Sequence, residues 1–142
     1  MSNYLAKSAN GHDQSTAKAI QLGLQTAMNK GCSLLLLSPG IQNAKNSDVL
    51  ESALGSAAYK QIVNQRGHVQ IPNTNNTISL ETISTMKHGL SAFDGVIVGL
   101  WTSSKDADTI SATAKQAKDV ILVEWADSEL DPWSGKHNAT II

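Results

Sequence analysis

Ala17, Ile20, Leu24, Ala27 and Met28 recur three and four residues apart, the spacing of one buried stripe on a helix. The pattern predicts a helix over residues 14–29. Asp13 stands where an N-cap is wanted, Lys30 suits the negative C-terminal end, and Gly31 supplies a left-handed stop. The next run, Cys32-Ser33-Leu34-Leu35-Leu36-Leu37, is continuously apolar after its second residue and ends at Ser38-Pro39-Gly40. A short apolar run without alternation is expected of a strand covered on both faces, as in a parallel sheet between helices.

The same alternation of periods continues. After a polar loop over residues 38–46, a second helix is predicted over 47–65. Ser47 caps it, Asp48 and Glu51 lie in its first turns, and Val49, Leu50, Ala53, Leu54, Ala57 and Ile62 make its stripe. Residues 68–71 read as a short strand closed by Pro72, and residues 72–77 as a loop. A third helix is predicted over residues 79–89, burying Leu80, Ile83, Met86 and Leu90. Residues 95–100 make the strongest strand of the chain. Ser103 and Asp106 resemble a capping box opening a fourth helix that buries Ala107, Ile110, Ala114 and Ala117. A last internal strand over 120–123 ends at Glu124-Trp125.

Strands alternating with helices of this length imply crossovers of one hand and a parallel sheet. The expected fold is a single three-layer α/β domain over residues 1–142. Its sheet is mostly parallel with four strands, or five if Thr140-Ile141-Ile142 adds an edge, in Rossmann-like or flavodoxin-like layering. The strands at 34–37 and 96–100 are expected to be adjacent, parallel and central. Residues 1–12 read as a polar, flexible arm, and residues 126–142 as a tail with turns at Asp131-Pro132 and Ser134-Gly135.

Composition narrows the function classes. The chain has 142 residues, 41% hydrophobic, 16% charged and 4% aromatic, so the core must be aliphatic and the surface rests on uncharged polar residues. The net charge is −1, and Arg66 is the only arginine. No basic cluster offers the cations that phosphate neutralisation needs, so no nucleic-acid partner is expected. One cysteine, Cys32, precludes an intramolecular disulfide and reads as a small core residue. There is no basic n-region followed by an apolar stretch, and the apolar run at 34–37 is far too short to cross a bilayer. The expectation is a cytoplasmic protein with no membrane partner.

The P-loop pattern, the dinucleotide fingerprint and the nucleophile elbow are absent. The Gly135-Lys136 pair lacks the upstream glycine and preceding strand of a P-loop. The early strands do not end in the acidic residues of a phospho-acceptor site. His12, His68, His88 and His137 are scattered, so neither a metal site nor a cofactor is expected.

Topology then points where motifs do not. In open parallel sheets ligands bind at the C-terminal edges of the strands. The residues expected there are Ser38, Asn73, Trp101, Thr102, Ser103, Glu124 and Trp125. Glu124 and Asp127 are weak candidates for a general base or a ribose ligand. Free N–H groups at Ser104 and Lys105 would suit an anion. Plain structural roles compete: Trp101 and Trp125 as caps on the open end of the core, Thr102 and Ser103 as a helix cap, Glu124 as a paired edge carboxylate. Two functions therefore stand open. One is a small-molecule or nucleotide-binding domain, enzymatic or not. The other is a non-enzymatic interaction module, working as a homo-oligomer or as a subunit of a larger assembly.

Overall fold

The continuously apolar runs do become the centre of the sheet. In the computed structural model, which describes residues 1–86 and 89–142, β2 (Leu34–Ser38), β5 (Val96–Thr102) and β6 (Asp119–Glu124) are buried along their whole length. β2 and β5 are parallel neighbours, with Leu34 opposite Val96 and Leu36 opposite Val98. The remaining strands are β1 (Ser2–Ala6), β3 (His68–Gln70), β4 (Thr77–Thr82) and β7 (Thr140–Ile141). The sheet has seven strands in the order β3-β4-β2-β5-β6-β1-β7. All its pairings are parallel except β3 on β4.

Several expectations need correction, the first being the strand count, which is seven and not four or five. The N-terminal segment is not a flexible arm: Ser2–Ala6 pairs with β6 on one side and β7 on the other. Its first N–H donates to Asp119 Oδ1 at 2.9 Å. The start of the third helix, residues 79–82, is strand. Ile78, Leu80 and Thr82 are buried while Thr77, Ser79 and Glu81 alternate with them half-exposed, a period of two that pairs with β2. Among the described residues of that predicted helix, one turn, α5 (Ile83–Met86), is helical. Residues 87 and 88, on which the predicted helix end and His88 fall, lie outside the described residues. The second helix is broken into α3 (Asp48–Leu54), α4 (Ser56–Tyr59) and a π-turn over Lys60–Asn64. The break is at Gly55, whose φ of 87° no helix accommodates. The loop before it contains a short helix, α2 (Ile41–Lys45).

The long helices are as expected, with small shifts at their ends. α1 spans His12–Lys30 and ends at Gly31 in the left-handed region; its N-cap is Gly11 and not the expected Asp13, which lies in the first turn. Gly23 sets its closeness to the sheet, since a Cβ there would fall 2.5 Å from Val98 Cγ2. α6 (Ser104–Thr113) is capped by Ser103, whose Oγ accepts from Asp106 N–H at 3.2 Å. The tail carries α7 (Asp131–His137), so Asp131-Pro132 and Ser134-Gly135 lie within a helix and not in the expected turns.

The helices make two outer layers. Ala19, Ile20 and Ala27 of α1 and Ala44, Leu50 and Tyr59 of α2–α4 share one core with Leu34, Leu36, Val96 and Val98. On the other face Ala107 and Ile110 of α6 and Trp133 of α7 pack with Leu35, Leu37, Ile97 and Leu122. One hand of crossover requires connections running opposite ways along the sheet to use opposite faces. β1 to β2 and β2 to β4 run one way, beneath α1 and α2–α4. β4 to β5, β5 to β6 and β6 to β7 run the other way, on the face of α5, α6 and α7. The chain therefore leaves β2 toward one face and β5 toward the other. Because β2 and β5 are neighbours, a gap opens above their C-terminal ends.

Candidate functional site

Two adjoining cavities occupy that gap. The larger, about 590 Å³, is lined by His12 and Asp13 at the start of α1 and by Gln42 and Asn43 of α2. Asp48 at the start of α3 and the indoles of Trp101 and Trp125 complete its wall. The smaller, about 310 Å³, lies between Pro39, Ser103 and Asp106 and shares Asn43, Trp101 and Trp125 with the first. The larger falls within the usual size of a small-molecule site, roughly 300–1,000 Å³.

Trp101 owes its place to a backbone irregularity. The β5–β6 register shifts between Gly99 and Thr102, and Trp101 has a φ of 49°. Strand alternation would send Leu100 and Trp101 to opposite faces. The bulge instead puts both in the core on the α1 side. The indole Nε1–H donates to Thr16 Oγ1 of α1 at 3.1 Å, and the ring is 8% exposed. Trp101 is thus part plug and part cavity wall. Trp125 differs: it is 54% exposed, and its ring lies 5.5 Å from that of His12, tilted by 51°.

The other expected residues separate by position. Ser103 lines the smaller cavity while serving as the α6 cap. Ser38 is fully buried, with its hydroxyl donating to Gly40 O at 2.7 Å, and it holds the turn that leaves β2. Thr102 is buried, and its Oγ1 has no hydrogen-bond partner among the described residues. Asn73 sits at the opposite end of the sheet. β3 is antiparallel to β4, so the turn joining them precedes β4, beside the start of β2, where Thr77 N–H donates to Ser33 Oγ. Its φ of 65° suits that turn.

Glu124 faces the main chain rather than a cavity. Oε1 accepts from Ser8 N–H at 3.2 Å and Ser8 Oγ at 3.3 Å, and Oε2 accepts from Leu130 N–H at 3.0 Å. Lys7 Nζ lies 3.8 Å from Oε2 and is hydrogen-bonded to Asp131. That hydrogen bond to Asp131, together with the charge of Glu124, holds the Lys7 ammonium above its ordinary pKa against the opposing cost of burial. Asp127 is exposed in the turn between β6 and α7. The carboxylate best placed to look catalytic in sequence is occupied in tying β1 and β6 to the tail.

The cavity residues that pattern reasoning missed are His12, Asp13, Gln42, Asn43 and Asp48. His12 and Asp13 open the helix that follows β1 after a 3₁₀ turn at Ser8–Asn10, so recognising that strand would have put them near its C-terminal end. The clue to the others is the pairing of polar residues after β2, Gln42-Asn43 and Asn46-Ser47-Asp48. Among the described residues no group of three or more His, Cys, Asp or Glu side chains is placed to hold a metal ion. Nor is any helix there long and apolar enough to cross a membrane. No protein-family model matches the chain, and no curated protein matches it in sequence.

Proposed function

We propose that this domain binds a small, ring-bearing molecule in the crevice above β2 and β5. The observation that carries the reading is a half-exposed indole, Trp125, beside a second, Trp101, in one cavity at the point where the chain leaves the sheet toward opposite faces. In open α/β sheets that is where ligands bind. A large apolar ring left in water at such a place is an available stacking surface. The amides of Gln42 and Asn43 and the carboxylates of Asp13 and Asp48 supply donors and acceptors around it.

The protein carries its own control. Trp133 lies in the opposite core, with its Nε1–H donating to Ser111 Oγ at 2.8 Å. In an ¹⁵N-labelled sample titrated with nucleosides, nucleotides and glycosides, a bound ring should move the indole N–H signals of Trp125 and Trp101 and leave that of Trp133 in place. Trp125→Ala should abolish the response. No movement with any probe, or movement of Trp133 alone, would overturn the reading.

A further inference from the structure

We infer that the ligand is uncharged and hydroxyl-bearing, a nucleoside or a glycoside, and that its phosphorylated forms are rejected. The inference rests on the binding reading above and adds the chemistry of the ligand. Its first support is the sign of the lining. Asp13 and Asp48 line the larger cavity and Asp106 the smaller, while among the described residues no lysine or arginine lines either. Lys45 and Lys105, the cations nearest in the chain to the lining residues, are exposed and outside both linings.

The second support is the state of the helix ends. α1, α3 and α6 all begin at the crevice, and unsatisfied N–H groups there would attract an anion. Each end carries an acidic residue in its first turn, Asp13, Asp48 or Asp106, and those of α3 and α6, though not that of α1, are also capped by a side chain. Ser47 Oγ accepts from Leu50 N–H at 3.1 Å, as Ser103 Oγ does from Asp106 N–H. Ser104 N–H donates to Glu129 Oε2 at 3.3 Å. A phosphate would meet a carboxylate in the first turn of every one of these helices.

What the lining does offer suits hydroxyl groups. A carboxylate accepts from O–H, and a neighbouring amide both donates and accepts, so Asp48 and Asn43 together can hold a diol beside a ring stacked on Trp125. Nucleosides and glycosides share that chemistry, and paired probes separate them from each other and from their phosphates.

The test uses the full chain and the indole signals of Trp125 and Trp101. The probes are adenosine and uridine with their 5′-monophosphates, and phenyl β-glucoside with its 6-phosphate. One neutral member should bind, and its phosphate should bind at least about tenfold more weakly at low salt. That gap should shrink at high salt and in the Asp13→Asn/Asp48→Asn variant, whose changes are exposed and nearly isosteric. A phosphate that binds as well as its parent would overturn the inference while leaving the site standing. So would a gap that neither salt nor the variant reduces. Silence from every probe would instead overturn the binding reading itself. The two failures are therefore distinguishable.

Discussion

Two neighbouring residues, Trp101 and Thr102, break local rules at the end of β5. A bulky residue at positive φ is an outlier whose strain is of order 1–3 kcal/mol. Trp101 offsets it by burying most of an indole and bonding Thr16. Gly99 makes the bulge possible, since a Cβ there would fall 2.6 Å from Leu122 Cδ2 and 2.8 Å from Thr102 Oγ1. Thr102 then carries a buried hydroxyl without a partner among the described residues. Such a group costs desolvation and returns nothing. Thr102→Val keeps the shape and removes the hydroxyl, so it should raise the unfolding free energy by about 1 kcal/mol, measured by urea denaturation. A loss of stability would show that the hydroxyl is hydrogen-bonded in solution. Ser103→Ala, one residue on, has the opposite expectation, because that hydroxyl is in use as a cap.

Elements were legible where one period ruled alone. β2, β5 and β6 are unbroken apolar runs, and their burial on both faces follows directly. β4 was obscured because two periods overlap. Leu80, Ile83 and Met86 are spaced like a helix, while Ile78, Leu80 and Thr82 are spaced like a strand. The vacant edge of β2 settles the choice, and only the fold reveals that edge. β1 was hidden by its polar ends, since Tyr4, Leu5 and Ala6 are too few to set a period. Missing β1 also hid half of the crevice, because His12 and Asp13 come into place only if a strand precedes them. The site residues that were legible, Trp101, Ser103 and Trp125, are those that follow legible strands. Glu124 follows one as well, yet its use is at the scale of elements: it joins the ends of β1 and β6 to the start of α7. Glu124→Gln replaces one accepting oxygen with an amide donor facing a main-chain N–H. It should cost about 1–3 kcal/mol and speed amide exchange in α7 and β7. The Trp125 response to ligand should be unchanged. A variant with native exchange in the tail and weakened ligand binding would return Glu124 to the site.

At the scale of the molecule, four titrating groups are shifted in the same direction, and three of them tie separate segments together. Lys30, at the end of α1, has its pKa raised by its hydrogen bond to Asp119, whose other oxygen holds the first strand through Ser2. Lys7 is raised by its hydrogen bond to Asp131 in the tail. Tyr59 is raised by burial, with its hydroxyl donating to Ala44 O at 2.8 Å and Lys45 O at 2.9 Å across α2. Cys32 is raised by burial beneath α1. A raised pKa means that the folded state keeps its proton at a pH where the unfolded state has lost it. The folded state then binds more protons, and stability must fall as pH rises through that interval. The contribution is complete below the ordinary pKa of each group. The decline should therefore open with the thiol, at about pH 9, and steepen at about pH 10 as the phenol and the ammonium groups join. Unfolding free energies from urea titrations should change little between about pH 7 and 8 and then fall. Cys32→Ala should move the onset upward by removing the earliest group. Tyr59→Phe should flatten the slope at about pH 10, even though it lowers stability at neutral pH by deleting the hydrogen bond that its hydroxyl shares between two carbonyls. Stability that rises above pH 9, or a slope that both variants leave unchanged, would show that these buried ties do not govern the alkaline limit of the fold.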